Sequence, residues 1–252
     1  MPWDNILVIV LCSLRAIGVV MALPLPGGRG LPRTWRAALA LLWGGMMAAV
    51  SPVMSTSISD LPSLGVAAVH ELLLGLAMGF VCRAVLGTAD LAGRLIANEV
   101  GIVAAPGFDV PTPSQEPLPA FIGMFTGLLF FALGAHEGVL AAFARSYEIA
   151  APGAGALAPG ASETLVTAVV ELIEVALRIA APFIALNFII TLGFSVLGRA
   201  VPKMNVFILS YALRSMLGFL LLAGGGTLLA RYMAMAFETM PWRMLELVAD
   251  RS

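Results

Sequence analysis

The sequence predicts an all-α, membrane-associated fold built of long broken helices and helical hairpins, and three observations predict it. Hydrophobic residues make up 60% of the 252 positions and charged residues 12%, with a mean hydropathy of +0.98, whereas a soluble globular domain is about 25% charged. Long apolar runs are separated by short stretches rich in Pro and Gly. The stretch from Gly193 to Phe207 reads as a hairpin turn: an apolar run ends at Gly198, Arg199, Pro202 and Lys203 follow, and a second run starts at Asn205. Pro202 lacks an N–H and pushes its predecessor out of the α region, while Gly198 and Asn205 suit a C-cap and an N-cap. The turn therefore spans 198–205, with arms over roughly 160–198 and 205–238 that reach about 50 Å each. Both arms exceed the roughly 20 residues that cross a bilayer. Both also carry charge: Glu171, Glu174 and Arg178 in one, Arg214 and Arg231 in the other.

The remaining elements follow in order. A first helix runs from about Asn5 to Leu25 with one internal charge, Arg15, and stops at Pro24-Leu25-Pro26-Gly27-Gly28. It follows Met1-Pro2-Trp3-Asp4 without a basic n-region or a small-residue cleavage site, so it is expected to be retained structure and no signal peptide. A basic loop with Arg29, Arg33 and Arg36 leads into a second helix from Thr34 to about Val50, broken by Ser51-Pro52. The third opens at Asp60-Leu61-Pro62-Ser63, with Asp60 as N-cap and Pro62 in the first turn, and continues to about Val103. The segment 105–119 holds five prolines in fifteen residues and is expected to be neither helix nor central strand. A fourth helix is predicted over about Ala120–Glu148, and the small, apolar stretch 151–160 reads as a joint before the hairpin.

Ordinary topology rules do not close on these elements. With the basic 29–36 loop cytoplasmic, a single crossing by the third helix leaves the acidic 105–119 loop cytoplasmic without a cation and puts Arg199 and Lys203 outside. The helical surface is therefore expected to face other protein or a wet cavity more than lipid. Gly75 and Gly79, Gly123 and Gly127, and Gly134 and Gly138 each form a small-xxx-small pair that lets helices approach closely.

Chemistry finds little footing. A net charge of −1 offers no basic field for nucleic acid, and Cys12 and Cys82 stand singly in apolar runs, without a disulfide or metal pattern. His70-Glu71 and His136-Glu137 open like a zinc-protease helix, yet the i+4 positions are Leu74 and Leu140. Gly193-Phe194-Ser195 lacks the second glycine of a nucleophile elbow, and there is no P-loop. Each lone histidine reads as a packing residue, with a proton carrier as the other reading. Glu174 with Arg178 and Asp90 with Arg94 fit i,i+4 ion pairs. No catalytic residue, cofactor or metal ligand is expected.

The run Leu197-Gly198-Arg199-Ala200-Val201-Pro202-Lys203-Met204-Asn205-Val206-Phe207-Ile208-Leu209, followed by Arg214 and Gly218, resembles the C-terminal signature of the FliR/SctT family of type III secretion export-apparatus proteins. Glu71 to Gly75 with Gly79-Phe80, Gly134-Ala135-His136 with Ser146, and Arg15 with Pro24 and Pro32 resemble further family positions in the family's order. Ser210-Tyr211-Ala212 stands where the family usually shows Gly-x-Pro, Asp109-Val110-Pro111 replaces an adjacent Asp-Pro, and Ala135 interrupts a Gly-Gly-His. The resemblance implies a chain like a fusion of FliP and FliQ subunits. Residues 1–155 would be FliP-like and 160–252 a FliQ-like hairpin. It also implies one copy joined to about five FliP-like and about four FliQ-like chains in a helical assembly raised largely out of the lipid, with an FlhB-like subunit below. The Pro-rich loop, with Gly107, Phe108, Asp109, Val110, Pro111 and Glu116, would plug the channel taken by unfolded polypeptides in the bacterial inner membrane. Gly198, Arg199, Pro202, Lys203, Asn205, Phe207 and Arg214 would serve assembly, and Glu71, Gly75, Gly79, Gly134 and His136 helix packing. The resemblance does not separate a flagellar basal body from an injectisome base; the flagellar system is the expectation. A small multi-pass transporter is the alternative that broken helices and intramembrane charges also permit.

Overall fold

Helices start and stop where backbone chemistry allows, in a computed structural model that describes residues 2–22, 32–50, 60–101, 117–201 and 205–250. In chain order these residues form α1 (Pro2–Ala22), α2 (Arg33–Val50), α3 (Leu61–Val100), α4 (Pro117–Ala132), α5 (Ala135–Ile149), β1 (Gly155–Leu157), α6 (Ala161–Ala200), α7 (Val206–Glu246) and β2 (Val248–Asp250). Among them, α3, α6 and α7 are long and apolar enough to cross a membrane, and the bent α4–α5 pair would add a fourth span. The all-α class predicted from composition is the class observed, with one short antiparallel ribbon added.

The second hairpin arm runs on to Glu246, past the expected 238, and four further boundaries differ from the sequence reading, each for a local reason. The fourth helix is two helices, because Gly134 adopts φ 69° and turns the axis of α5 by 65° from that of α4. Gly134 thus bends the chain, and only Gly138 of that pair packs inside a helix. Pro117 and Pro119 belong to the first turn of α4 and not to a loop, since a proline there has no intrahelical N–H bond to lose. At the hairpin, α6 continues through Gly198 to Ala200, and Val201 leaves the α region at φ −129°, ψ 77°. The stop is set by the proline that follows, which clashes with a helical predecessor, and not by Gly198. Asn205 does cap α7, accepting the Ile208 N–H at 3.4 Å. Finally, the stretch 151–160 is no simple joint: Gly155–Leu157 pairs antiparallel with Val248–Asp250 at the far end of the chain. Residues 105–116 of the Pro-rich loop, including Gly107, Phe108, Asp109, Val110, Pro111 and Glu116, lie outside the described residues, as do Pro202 and Lys203.

The 40-residue α3 is the axis of the packing. α6 lies beside it in the same direction, with Leu172 near Gly87 and Asn187 bonded to Glu99. α4 and α7 run the opposite way, placing Pro119 on Gly93, Met244 on Cys82 and Val100 on Gly218. Leu74, Met78, Val81, Ala89, Ala92 and Ile96 of α3 are buried in the resulting core. Cys12 and Cys82 are free and buried. The α6–α7 hairpin is tied at one end by Glu171 to Arg243 and at the other by Arg214 Nη2 to Thr191 Oγ1 at 3.1 Å. The Glu174–Arg178 pair forms at 2.5 Å on the α6 surface. The expected Asp90–Arg94 pair does not close: the ion pairs among the described residues are those of Arg15, Arg178 and Arg243.

Glycines decide how near the first three helices come. A Cβ on Gly75 would lie 2.1 Å from the Arg15 carbonyl oxygen, one on Gly18 2.5 Å from the Leu76 nitrogen, and one on Gly44 2.4 Å from Ser13 Cα. Those neighbours are backbone atoms, so relief requires separating the helices. Gly45, one residue on, has nothing within 4 Å. Gly44→Ala and Gly75→Ala are therefore expected to lower the yield of folded, detergent-stable protein several-fold. Gly45→Ala, which improves helix propensity by about 1 kcal/mol, should leave yield and melting temperature unchanged or raised; measuring the three variants in one thermal-unfolding series checks the pattern.

Candidate functional site

Arg15 faces inward from the middle of α1, and its side chain is fully buried with that of Glu71 on α3. Its guanidinium meets the carboxylate as a fork: Nε donates to Glu71 Oε2 at 2.6 Å and Nη2 to Oε1 at 2.9 Å. Nη1 donates to Ser146 Oγ at 3.0 Å, and Nη2 also reaches the Ala150 carbonyl at 3.0 Å. Ser146 Oγ in turn donates a hydrogen bond to the Phe143 carbonyl at 2.7 Å. The Glu71 carboxylate accepts a further bond from the Gly153 backbone N–H at 2.8 Å. The Tyr147 ring covers the cation, with Arg15 Cζ 4.2 Å from its centroid, and its hydroxyl donates to the Cys12 carbonyl at 3.1 Å.

Each partner is brought to the cluster by a local feature of its element. Gly75, one turn beyond Glu71, lets α1 come close enough for the fork to form. Ser146 and Tyr147 stand at the end of α5, where the Gly134 bend directs that helix. Gly155 of β1 completes the enclosure: a Cβ there would lie 2.8 Å from Arg15 Nη2 and 3.3 Å from Glu71 Oε1. The charges cancel inside the cluster and nearly every donor is matched, which is the condition under which a buried ion pair persists. Such an arrangement holds helices in register; it exposes no nucleophile, proton donor or open ligand position. No group of three or more metal-binding side chains occurs among the described residues.

A second polar group sits at the other end of α3. Gly101 takes φ 83° and ends the helix; its carbonyl accepts the Tyr211 hydroxyl at 2.6 Å, and that of Val100 accepts Ser215 Oγ at 3.1 Å. Arg214 lies between these two residues of α7, bonded to Thr191 of α6, with its Nε buried and without a partner among the described residues. The start of α7 thus grips the point from which the Pro-rich segment departs.

The sequence-derived residues divide accordingly. Glu71, Gly75, Ser146 and Arg15, singled out from three separate stretches, come together in one cluster. Gly79 is buried on α3; His136 opens α5 beside the Phe130 and Phe131 rings, with Nδ1 buried and unpartnered among the described residues. Gly198 and Arg199 fall in the last turn of α6, and Phe207 in the first turn of α7. Sequence reasoning missed Tyr147, Ala150, Gly153 and Gly155. The last two contribute a backbone N–H and a missing side chain, and only the Pro152-Gly153 turn signal hinted at a special backbone there.

A profile described as "Bacterial export proteins, family 1" matches residues 6–240, so nearly all of these elements lie inside one family pattern. The chain belongs to that family, the FliR/SctT family of bacterial export proteins. It is 27% identical to "Flagellar biosynthetic protein FliR" of Caulobacter vibrioides over 227 residues, covering 87% of this chain and 88% of the relative. The FliR of Escherichia coli is 24% identical, covering 94% and 89%. "Yop proteins translocation protein T" of Yersinia pestis is 29% identical over 160 residues, covering 60% and 59%.

Removing one member of the ion pair strands a buried charge, which costs about 3–5 kcal/mol. Arg15→Leu and Glu71→Leu are each expected to abolish accumulation of folded protein, while the double replacement recovers part of it. Yields and melting temperatures of the three variants, compared in a double-mutant cycle, give the coupling.

Proposed function

We propose that this chain is a core subunit of a bacterial type III protein-export gate in the inner membrane, of the flagellar or injectisome kind, and that it acts as scaffold and channel wall with no catalytic step. The observation that carries the reading is the amount of apolar helix left uncovered. Only 22% and 11% of the most apolar stretches of α6 and α7 are buried within the chain, although each helix is about 60 Å long, twice the hydrocarbon thickness. Helices of that length need protein neighbours. The family's relatives include proteins named for flagellar biosynthesis and for Yop translocation, which supports the same assignment.

On this reading the neighbours are FliP-like and FliQ-like chains, about five and about four, with an FlhB-like subunit, arranged by heterologous contacts that build a helix instead of a closed ring. The Arg15–Glu71 cluster keeps the 1–155 part rigid. The α6–α7 hairpin over 160–252 offers the FliQ-like face, with Arg199 and Lys203 at its tip toward acidic surfaces or lipid headgroups. The proline-containing stretch between Gly101 and Pro117, the part of the 105–119 segment that precedes α4, plugs the path of the unfolded polypeptide.

Mass measurement of the detergent-solubilised complex tests the assignment: one copy of this chain within a multi-chain complex is expected, and a stable, monodisperse monomer or homodimer overturns it. Deleting residues 107–115 should leave that mass unchanged and make the cell membrane leaky to salt or protons. Unchanged leak, or loss of the complex, defeats the plug. Reversal of charge in Arg199→Glu/Lys203→Glu should lower complex recovery several-fold; full recovery would make the tip a solvated turn.

A further inference from the structure

The two long helices of the hairpin are weak at the same height. Pro182 stands in the middle of the 40-residue α6, and Gly224, Gly225 and Gly226 stand in the middle of the 41-residue α7. The two points face each other: a Cβ on Gly225 would lie 3.9 Å from the Phe183 ring, whereas one on Gly224 or Gly226 would meet nothing within 4 Å among the described residues. Pro182 removes the helix bond to the Arg178 carbonyl and crowds that carbonyl. Three successive glycines cover about 200° of the helix circumference, so they do not form the one-sided i, i+4 seam along which two helices approach. What they share is a loosened backbone.

Packing changes at the same level. Among the described residues, the buried apolar side chains of α7 are Leu229, Met233, Phe237, Met240 and Met244, all beyond the glycines. The tip half of the hairpin is held at the last turn of α3, where Asn187 donates to Glu99, Tyr211 to the Gly101 carbonyl and Ser215 to the Val100 carbonyl. Between that half and α4 lies an apolar cavity of about 890 Å³. Its walls include Phe121 and Phe125 of α4, Pro182 and Phe183 of α6, and Leu221 and Gly225 of α7.

We propose that Pro182 and the glycines at 224–226 are the two sides of one hinge. On it the tip half, residues 183–200 with 206–223, swings toward α4 and closes the cavity, while the base half stays packed on α3. At 1.5 Å per residue Val206 lies about 27 Å from the glycines, so a bend of about 20° carries the tip about 9 Å. The bonds of Tyr211 and Ser215 to the end of α3 are the latch. They hold the tip in the arrangement observed, with the cavity open, and they break as it closes. The hairpin therefore has two arrangements, one with polar bonds made and one with apolar surface covered, and a few residues in the middle of its helices absorb the difference. The hinge lies within this chain and stands independently of the export-gate reading.

Nitroxide labels on Leu128→Cys and Ile208→Cys, both at exposed positions, report the swing by pulsed dipolar spectroscopy in the full chain, purified together with the chains that accompany it. The native Cys12 and Cys82 are buried and stay unlabelled. Two distances are expected, a major one and a minor one several ångströms shorter. Gly224→Ala/Gly225→Ala/Gly226→Ala, for which the space exists, should reduce the minor population several-fold, and Tyr211→Phe/Ser215→Ala should raise it several-fold. A single distance in both the parent and the latch variant, or a minor population undiminished by the alanines, overturns the hinge. Should the triple alanine chain fail to accumulate, Gly224→Ala alone takes its place. A second pair, Val69→Cys with Val166→Cys, lies outside the moving half and should keep one distance throughout; an equal shift there would mean that the whole bundle moves, which also overturns the hinge.

Discussion

The fork between Arg15 and Glu71 is the interaction on which the first half of the molecule depends. Two fully buried charges are costly to desolvate, and they persist here because the guanidinium and carboxylate are matched to each other, to Ser146, to the Ala150 carbonyl and to the Gly153 N–H. Arg15 stands on α1, Glu71 on α3, and the other partners at the end of α5 and in the turn that follows it. The pair therefore enforces a relation among α1, α3, α5 and the approach to β1 that apolar packing would leave free to slide.

That constraint works only with close backbones. Gly18 and Gly75 bring α1 onto α3, Gly44 brings α2 onto α1, and Gly155 lets the ribbon close over the guanidinium. Between apolar helices in an apolar surrounding, burial gives little preference for one neighbour over another, so small residues and buried polar contacts select the arrangement. The same economy recurs at the far end of α3, where Gly218 admits Val100 and two hydroxyls of α7 hold the last carbonyls of the helix.

The outer surface obeys a different logic. α6 and α7 present large uncovered apolar faces, and α3 carries an exposed charged stripe above an apolar one. On the export-gate reading, simple topology rules fail on this sequence because they assume that each long apolar helix crosses lipid once.

Composition, long apolar runs and Pro and Gly punctuation by themselves determined the all-α membrane-type class, the existence of nearly every helix, and the hairpin around 198–205. Arg15, Glu71, Gly75 and Ser146 were visible as unusual residues because charge and glycine stand out against an apolar background. Their convergence was decided only in three dimensions, since they come from stretches as far apart as 131 residues and share no sequence period. Local signals also misjudged whatever depended on competition. Gly134 looked like a packing glycine and is a bend, because its neighbours need φ 69° to turn α5 back into the bundle. Gly198 looked like a stop and is not, because the proline after Val201 sets the end. The β1–β2 ribbon left no trace in the sequence: three residues on each side pair across the chain, and only the packing of α5, α6 and α7 brings Gly155 opposite Asp250. Helix existence rests on contacts within a few residues, which a sequence displays directly. Helix partners, the seat of the Glu71 carboxylate and the pairing of distant strands rest on contacts that exist only once those helices have packed.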